Sequence, residues 1–254
     1  MKKLFQTLCV LLAISSQADA NSIKNLDRNL DTNPLLSFTQ PAQEESSAKH
    51  WAKLSNVQAF QSAPRKQPYT EFEQLYQQAI AGQSELEVIT ERIAAHSHSD
   101  VLSSGIKSKL RAIDKINTDL SGNSEKITDL ARTSIVAKDV ATLMDAFTLF
   151  DQQTEIVRIK NRFAMPRASG YRDLNLLVRL PKTQIIAEVQ LHLEAFSKIK
   201  NGREHQNYEQ IQKIERLQLT DKRPLSEFEL AIISKLRKES QQLYQQAWNQ
   251  YLTA

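Results

Sequence analysis

The sequence contains little cysteine and little glycine, and both shortages limit its possible chemistry. Cys9 is the only cysteine among 254 residues, so no disulfide can form within the chain and no cysteine-based metal site is available. Five glycines are too few for a turn-rich all-β fold. The sequence also lacks a glycine-rich phosphate loop and a Gly-x-Ser-x-Gly motif, which argues against a P-loop nucleotide hydrolase and an α/β-hydrolase.

Long hydrophobic runs are also missing, and one short run lies at the amino terminus. Lys2 and Lys3 precede an apolar stretch at residues 4–14, and the small-residue sequence ADA follows at residues 18–20. This order is typical of a secretory signal peptide that is cut before Asn21. The run is shorter than the ~20 residues that span a bilayer, so we expect an exported, periplasmic or secreted protein without a membrane anchor. An uncleaved anchor or a lipoprotein is the alternative.

The composition of the chain indicates one globular domain behind the signal segment and a polar lead-in. Hydrophobic residues make up 41% of the chain and the formal net charge is +4, which permits a phosphate ligand without requiring nucleic acid. Residues 21–67 are rich in Asn, Gln, Ser, Lys and Pro and predict a poorly ordered lead-in, in which residues 48–54 could dock as a short helix. Residues 68–254 are expected to form the folded domain.

The periodicity of the apolar residues predicts helices, then about four strands, then helices. Helices are expected at residues 69–93, 104–118, 139–150, 194–200 and 205–218, and from Ser226 onward. Strands are expected at residues 133–137 and 155–163 and in a hairpin between residues 173 and 192. This order predicts an α+β fold with a small mixed β-sheet flanked by helices.

The predicted hairpin has one apolar and one polar side. The apolar side consists of Leu174, Leu176, Val178 and Leu180 in the first strand and Ile185, Ala187, Val189 and Leu191 in the second. The second strand carries Glu188, Gln190 and His192 on its other side. Strands disfavour an unpaired charge, so a partly buried Glu188 is a candidate general base. A solvated face, or pairing of Glu188 with Arg179 across the turn, is the alternative.

Three cations are spaced four residues apart in the helix predicted around residues 105–116. Lys107, Arg111 and Lys115 would therefore form one stripe, whose charge suits a triphosphate. The stripe expected to face the core consists of Ile106, Leu110 and Ile113. An ordinary solvated helix face is the alternative.

An acidic residue precedes the strand predicted at residues 133–137. Asp129 lies three residues before Arg132, and a carboxylate at a sheet edge can hold Mg²⁺, which prefers oxygen ligands and substrate phosphates. A helix-capping or salt-bridging aspartate is the alternative.

A basic loop leads into the hairpin. Its cations are Lys160, Arg162, Arg167 and Arg172, and Pro166 and Gly170 interrupt regular structure. Tyr171 lies among these cations, where it could stack on a base while they bind phosphate, or pack into the core instead.

Taken in order, these motifs resemble the synthetase domain of the RelA/SpoT family in its "GYRD" form. The matching segments are IKSKLRAIDKI, DLARTSIVA, SGYRDLNLLV and AEVQLHL, and the resemblance covers residues 100–215 approximately. It implies a mixed sheet flanked by helices and a transfer of the β,γ-diphosphate of ATP to the 3′-hydroxyl of a nucleotide, with Mg²⁺ as the cofactor.

The resemblance also implies a role for each candidate residue. ATP would contact Lys107, Arg111, Lys115 and Arg132. The acceptor nucleotide would contact Arg167, Tyr171, Arg172, Gln190 and His192, with the Tyr171 ring on its base. Asp129 and Glu188 would be the catalytic carboxylates and the Mg²⁺ ligands, and Glu188 would activate the acceptor hydroxyl.

Three positions depart from the commoner family pattern and leave the acceptor open. Asp173 and Asn175 replace the serine and histidine of Gly-Tyr-x-Ser-x-His, and His192 replaces the arginine of Glu-x-Gln-x-Arg. GDP or GTP, an adenosine nucleotide and the tRNA acceptor end all stay open as acceptors.

The His-Asp pair of the family's hydrolase domain is missing, so we expect no hydrolase activity. An inactive exported nucleotide-binding or protein-interaction module is the alternative function, and a homo-oligomer and an immunity or activating partner stay open.

Overall fold

The computed structural model describes residues 47–63 and 65–252 of the chain. The predicted signal peptide at residues 1–20 and the first half of the lead-in lie outside these residues, so export stays a prediction. No helix among the described residues is both long enough and apolar enough to cross a membrane.

The predicted hairpin is present, and its alternation defines the two faces of the sheet. Strands β5 (Leu174–Arg179) and β6 (Ile186–Leu193) pair antiparallel, with Leu176 opposite Val189. Both of these side chains are completely buried in the main core. Because successive side chains point to opposite faces of a strand, Glu188 lies on the other side of the sheet.

The hairpin is the centre of a six-stranded mixed sheet with the strand order β1-β4-β5-β6-β3-β2. The other strands are β1 (Phe60–Gln61), β2 (Asp100–Ser103), β3 (Arg132–Ala137) and β4 (Glu155–Asn161). β3 runs parallel to β6, and the other neighbouring pairs are antiparallel. The sequence predicted the four inner strands. It missed β1 and β2 because these edge strands are short and exposed throughout, which leaves no buried side to recognise.

Seven α-helices accompany this sheet in the described residues. They are α1 (Ser47–Asn56), α2 (Phe72–Ser97), α3 (Lys109–Asp119), α4 (Val140–Gln153), α5 (Glu194–Lys200), α6 (Arg203–Thr220) and α7 (Glu227–Leu252). Helices α2 and α4 contact β3 and β6 and cover the apolar face. The predicted α+β fold with a mixed sheet flanked by helices is therefore confirmed.

The second half of the lead-in is folded, contrary to the expectation of poor order across residues 21–67. Helix α1 packs on α4, and Trp51 and Leu54 are buried in the main core. Asn161 fixes the end of this helix by donating a hydrogen bond to the carbonyl of Leu54 at 2.7 Å. The short docked helix expected at residues 48–54 is therefore present, as part of α1. The domain boundary at residue 68 stays a prediction.

Helix α3 begins later than predicted and presents a different side to the core. It starts at Lys109, so Lys107 precedes the helix and does not belong to a helical stripe. The buried side consists of Ala112 and Ile116. Leu110 is 83% exposed and Ile113 is also exposed, so the predicted core stripe is wrong at these two positions. The small side chain of an alanine lets this side of the helix approach the core more closely than a leucine would.

The capping box predicted at the start of α7 is present. The Ser226 N–H donates to Oε2 of Glu229 at 2.9 Å, and the Glu229 N–H donates to Oγ of Ser226 at 3.3 Å. Arg223 adds two hydrogen bonds to the same carboxylate, each 2.7 Å long. Hydrogen bonds from Arg223 and then Ser226 lower the pKa of Glu229 to about 2, so the cap is ionised at neutral pH.

We expect Leu176→Ala to lower the free energy of unfolding by about 2–5 kcal/mol, because it opens a cavity at a fully buried position. The matched control is Leu110→Ala, which removes the same atoms from a side chain that is 83% exposed and should change stability by less than about 0.5 kcal/mol. Urea denaturation of both variants measures the difference. Equal losses would contradict the burial of Leu176 and the exposure of Leu110.

Candidate active site

The Glu188 carboxylate is held by two side-chain amides on the polar face of the sheet. Asn175 Nδ2 donates to Oε1 at 3.0 Å, and Gln190 Nε2 donates to Oε2 at 3.2 Å. Asn175 and Gln190 are register partners across β5 and β6, so the strand pairing itself brings both amides to one carboxylate. Glu188 is half-buried. It is not the partner of Arg179, which binds Glu155 instead.

Each of these amides is bound in turn by a cation. Arg158 Nη2, from β4, donates to Oδ1 of Asn175. Lys200 Nζ, at the end of α5, donates to Oε1 of Gln190 at 2.6 Å. Arg158 is 8% exposed, and burial lowers the pKa of both cations. We call these five residues, with the carboxylate in the middle and a cation at each end, the Glu188 row.

The Glu188 row continues through His192 to Tyr171. Nε2 of His192 lies 3.2 Å from Oε1 of Gln190, and Nδ1 lies 3.5 Å from the Tyr171 hydroxyl. That hydroxyl donates to Oδ2 of Asp173 at 2.8 Å, while Arg162 donates to Oδ1 at 2.6 Å. Asp173 is completely buried, so it depends on these two partners.

Burial determines the protonation of His192 and Tyr171. Burial, followed by the charges of Lys200 and Arg162, lowers the pKa of His192 well below its ordinary value, so the imidazole is neutral at pH 7. Burial and the Asp173 carboxylate raise the pKa of Tyr171 well above its ordinary value. Because the Tyr171 proton is donated to Asp173, the hydroxyl could accept only a proton on Nδ1 of His192, whereas Oε1 of Gln190 could accept only a proton on Nε2. The neutral imidazole carries one proton for these two contacts.

A second charged group lies where the chain enters β3. Nζ of Lys107 and Nζ of Lys115 lie 3.0 Å and 2.7 Å from the same oxygen, Oδ2 of Asp129. Burial by itself would raise the pKa of Asp129, but the two ammonium groups outweigh burial and the pKa is lowered. The other oxygen, Oδ1, is buried without a hydrogen-bond partner among the described residues.

Arg132 lies between the two groups. It is the first residue of β3 and the register partner of Glu188 in the parallel pairing of β3 with β6. Its side-chain Nε donates to the carbonyl of Gly105 at 3.3 Å, and Asp129 precedes it by three residues. The start of β3 therefore connects the Asp129 group with the Glu188 row.

Arg167 and Arg172 lie on a different surface, beside helix α7. The Arg172 guanidinium lies 4.1 Å over the ring of Trp248 and donates to the carbonyl of Phe163. With Lys238 and other side chains, the two arginines line a groove of about 480 Å³ between their loop and α7. In the described part of the chain, no hydrogen bond or ion pair joins either side chain to the Glu188 row.

Known proteins with a similar fold were found, although no protein-family model matches the chain. Over 67 residues, or 26% of its length, the chain is 39% identical to the (p)ppApp synthetase toxin Tas1 of Pseudomonas aeruginosa (strain UCBPP-PA14), and this stretch spans 15% of that protein. The type VI effector Tas1, solved in complex with its immunity protein, has a TM-score of 0.51 and 24% identity over 69% of this chain and 96% of that chain. A GTP pyrophosphokinase family protein from Streptococcus pneumoniae has a TM-score of 0.50 and 15% identity over 70% of this chain and 91% of that chain.

The chain has the fold of the RelA/SpoT-type alarmone synthetases. The resemblance seen in the four sequence segments is thereby confirmed in three dimensions. The identities in these structural matches are below one quarter, so they establish the fold, and the activity has to be argued from the site.

The alarmone-synthetase fold brings most of the predicted site residues into the two charged groups. Asp129, Lys107 and Lys115 form the first group; Glu188 and Gln190 belong to the Glu188 row, which His192 and Tyr171 extend; and Arg132 lies between them. Three predicted residues fall outside: Arg111, Arg167 and Arg172. Arg111 is exposed on α3, one helical turn before Lys115, and the ion pairs of Asp129 in the described residues are with Lys107 and Lys115.

The predicted site residues did not include Arg158, Asn175 or Lys200. A signal existed for Arg158, because β4 alternates between buried apolar residues and the cations Arg158 and Lys160, and this period of two predicts one basic face. Asn175 was noted only as a departure from the family pattern. No local pattern pointed to Lys200, which reaches the Glu188 row from a helix.

We expect the stability of the protein to fall from about pH 7.5 to about pH 5.5 partly because of His192. Its folded-state pKa is lowered, so only the unfolded chain takes up this proton just below the ordinary pKa, and acid therefore favours unfolding. His192→Asn removes this contribution and should flatten the decline, whereas His96→Asn, at an exposed position, should keep the wild-type slope. Thermal unfolding across this pH range measures both, and parallel curves for wild type and His192→Asn would contradict the assignment.

Proposed function

We propose that the chain transfers the β,γ-diphosphate of ATP to the 3′-hydroxyl of a nucleotide and releases AMP. The observation that carries this proposal is the half-buried Glu188, whose two oxygens are both oriented by amides beside a cluster of cations. The names of the similar proteins support it, since they are a (p)ppApp synthetase toxin and a GTP pyrophosphokinase family protein.

Glu188 has the position and the chemistry of a general base. It would take the proton of the acceptor hydroxyl as that oxygen attacks the β-phosphorus of ATP. The bond from the β-phosphorus to the oxygen that bridges to the α-phosphate breaks, and AMP leaves with that oxygen. Such a transfer needs little covalent chemistry from the protein, so catalysis depends on position and on charge stabilisation.

The cations of the Asp129 group would bind the ATP phosphates. Lys107 and Lys115 lie 3.0 and 2.7 Å from one oxygen of the Asp129 carboxylate. This carboxylate keeps the two positive charges close together where the phosphates of ATP would bind. Arg132 adds a third cation at the start of β3. Together they would stabilise the negative charge that accumulates on the phosphates during transfer.

Mg²⁺ suits this site, and we propose it as the cofactor. The described residues contain no cluster of three or more His, Cys, Asp or Glu side chains that could hold a metal, but Mg²⁺ is usually held by one or two carboxylates together with substrate phosphates. Oδ1 of Asp129 is a buried oxygen without a described partner and would supply one carboxylate, and Glu188 the second. When bound, the ion would neutralise charge on the transferred phosphates.

Tyr171 would bind the base of the acceptor, for which we propose an adenosine or guanosine nucleotide. Its ring lies beyond His192 at the end of the Glu188 row, and the ring centroid is 5.9 Å from the Arg162 guanidinium. A nucleotide whose base stacks on this ring would therefore have a cation near its phosphates. Tas1 is named as a (p)ppApp synthetase, which favours adenosine.

Tas1 also forms a complex with an immunity protein, and we propose that this chain is an exported protein with such a partner.

Glu188→Gln should reduce diphosphate transfer by about 10²- to 10⁴-fold, the usual contribution of a general base, because it keeps the shape of the side chain and removes the proton acceptor. The assay offers GDP, GTP, ADP, AMP and tRNA separately with γ-labelled ATP and Mg²⁺. Glu155→Gln is the matched control, because Glu155 lies on the neighbouring β4 and pairs with Arg179.

An undiminished rate in Glu188→Gln would contradict the role of Glu188. If wild-type protein left the label in ATP with every acceptor, the transfer itself would be refuted, and saturable nucleotide binding would then identify a binding module.

Lys107→Met and Lys115→Met should each weaken ATP binding by about 10- to 100-fold, the usual range for a lost hydrogen bond to a charged group. Lys109→Met is the matched control, because Lys109 lies between them in sequence but binds the exposed Glu73 at 2.7 Å. Calorimetric titration with ATP and Mg²⁺ measures the three affinities. The same loss in all three variants would indicate general electrostatic attraction instead of a defined site.

A further inference from the structure

We propose that Arg158 and Lys200 are positioning residues that fix the orientation of the Glu188 carboxylate through Asn175 and Gln190. The consequence of this orientation for catalysis rests on the proposed function, in which Glu188 is the general base. Neither cation belongs to the residues proposed to contact ATP or the acceptor, and each contacts an amide oxygen of the Glu188 row.

A side-chain amide is asymmetric in its hydrogen bonding. One end of the amide accepts hydrogen bonds and the other end donates them, so a cation on the oxygen forces the NH₂ group to point the other way. Arg158 binds Oδ1 of Asn175, and the Nδ2 of that residue then donates to Glu188. Without the guanidinium, the amide could rotate and offer its oxygen to the carboxylate, which would repel it.

The same arrangement is repeated on the other carboxylate oxygen. Lys200 binds Oε1 of Gln190, and Nε2 of Gln190 donates to Oε2 of Glu188. The terminal torsion of a glutamate is broad when nothing restrains it. Two donors on two different oxygens define the plane of the carboxylate, so its rotation stops only when both sides of the row are intact.

The indirect position of the cations preserves the reactivity of Glu188. A carboxylate has about four lone-pair sites, and the two amides occupy one site on each oxygen. A direct bidentate pair with an arginine would also block the sites that an acceptor hydroxyl needs. The amides leave those sites available while they transmit the orientation that the cations impose.

Burial supports a specific function for Arg158. Its side chain is 8% exposed, and its Nε has no hydrogen-bond partner among the described residues. A buried cation without a direct carboxylate partner is costly. Arg179, on the neighbouring strand, has instead a direct partner in the exposed Glu155.

The first test measures orientation without reference to activity. The side-chain ¹H–¹⁵N signals of Asn175 and Gln190 are followed in full-chain protein by NMR and hydrogen exchange. Lys200→Met should remove the protection of the Gln190 amide and spare Asn175, and Arg158→Gln should do the opposite. The controls are Lys198→Met, which affects an exposed lysine on the same helix that pairs with Glu194, and Arg179→Gln; both should leave the two amides unchanged.

The second test separates orientation from substrate binding. Each variant should lower kcat by about 10- to 100-fold, as is usual when a supporting partner of a reactive group is lost, while KM for ATP and for the acceptor stays within about twofold. Lys200→Arg keeps a donor for Gln190 and should restore most of the rate. In a Glu188→Gln background, neither variant should cause a further loss, because both act through Glu188.

Two results would overturn the proposal. One is unchanged protection of both amides in both variants, and this result counts whether or not the wild-type protein transfers diphosphate. The other is a raised KM with kcat preserved, which would show that the cations bind substrate directly. If Arg158→Gln does not fold, Lys200→Met and its control decide the question alone. Absence of transfer by wild type would refute the proposed function and leave the NMR result to judge the orientation.

Discussion

The antiparallel register of β5 and β6 is the constraint on which the rest of the structure depends. The pairing that sets Leu176 against Val189 also sets Asn175 against Gln190, beside Glu188. A slip by one residue would turn the carboxylate toward α2 and α4 and would expose the apolar side chains. The free energy gained by burying one face therefore also maintains the geometry of the polar face.

That polar face is tolerated because its buried carboxylates have cations or hydrogen-bond donors as partners. Asp173, which is completely buried, has both Arg162 and Tyr171 as partners, and Asp129 has two lysines. Among the described residues, the buried side-chain atoms without a partner are Oδ1 of Asp129, Oγ1 of Thr133 and Nε of Arg158. Such exceptions need an explanation in a folded protein, and two of the three belong to the groups proposed to act on ATP and on Glu188.

The sequence was informative for the strands, where alternation repeats over a whole element, and uninformative where a single long-range contact decides the position of a side chain. Alternation predicted the hairpin and its faces, and the order of the motifs predicted the fold. Helical spacing did not predict that Leu110 is exposed, because the rotation of α3 depends on the burial of Ala112 and Ile116 and on Lys115 reaching Asp129 across 14 residues of sequence. Lys200 was missed for the same reason, since its partner Gln190 is ten residues away on another element.

Helix α7 shows how a distant segment can shape the acceptor side of the site. Gly170 has a φ of +82°, and a Cβ there would lie 3.3 Å from Cα of Gln241 and 3.3 Å from Cβ of Tyr244, so only glycine allows the loop to approach the helix this closely. The Tyr244 ring then meets the Tyr171 ring at 5.7 Å in a T-shaped contact. Under the proposed function, an acceptor base has to approach Tyr171 from the side that Tyr244 leaves open. The orientation of the acceptor toward Glu188 would therefore be set by a helix that has no residue in the Glu188 row.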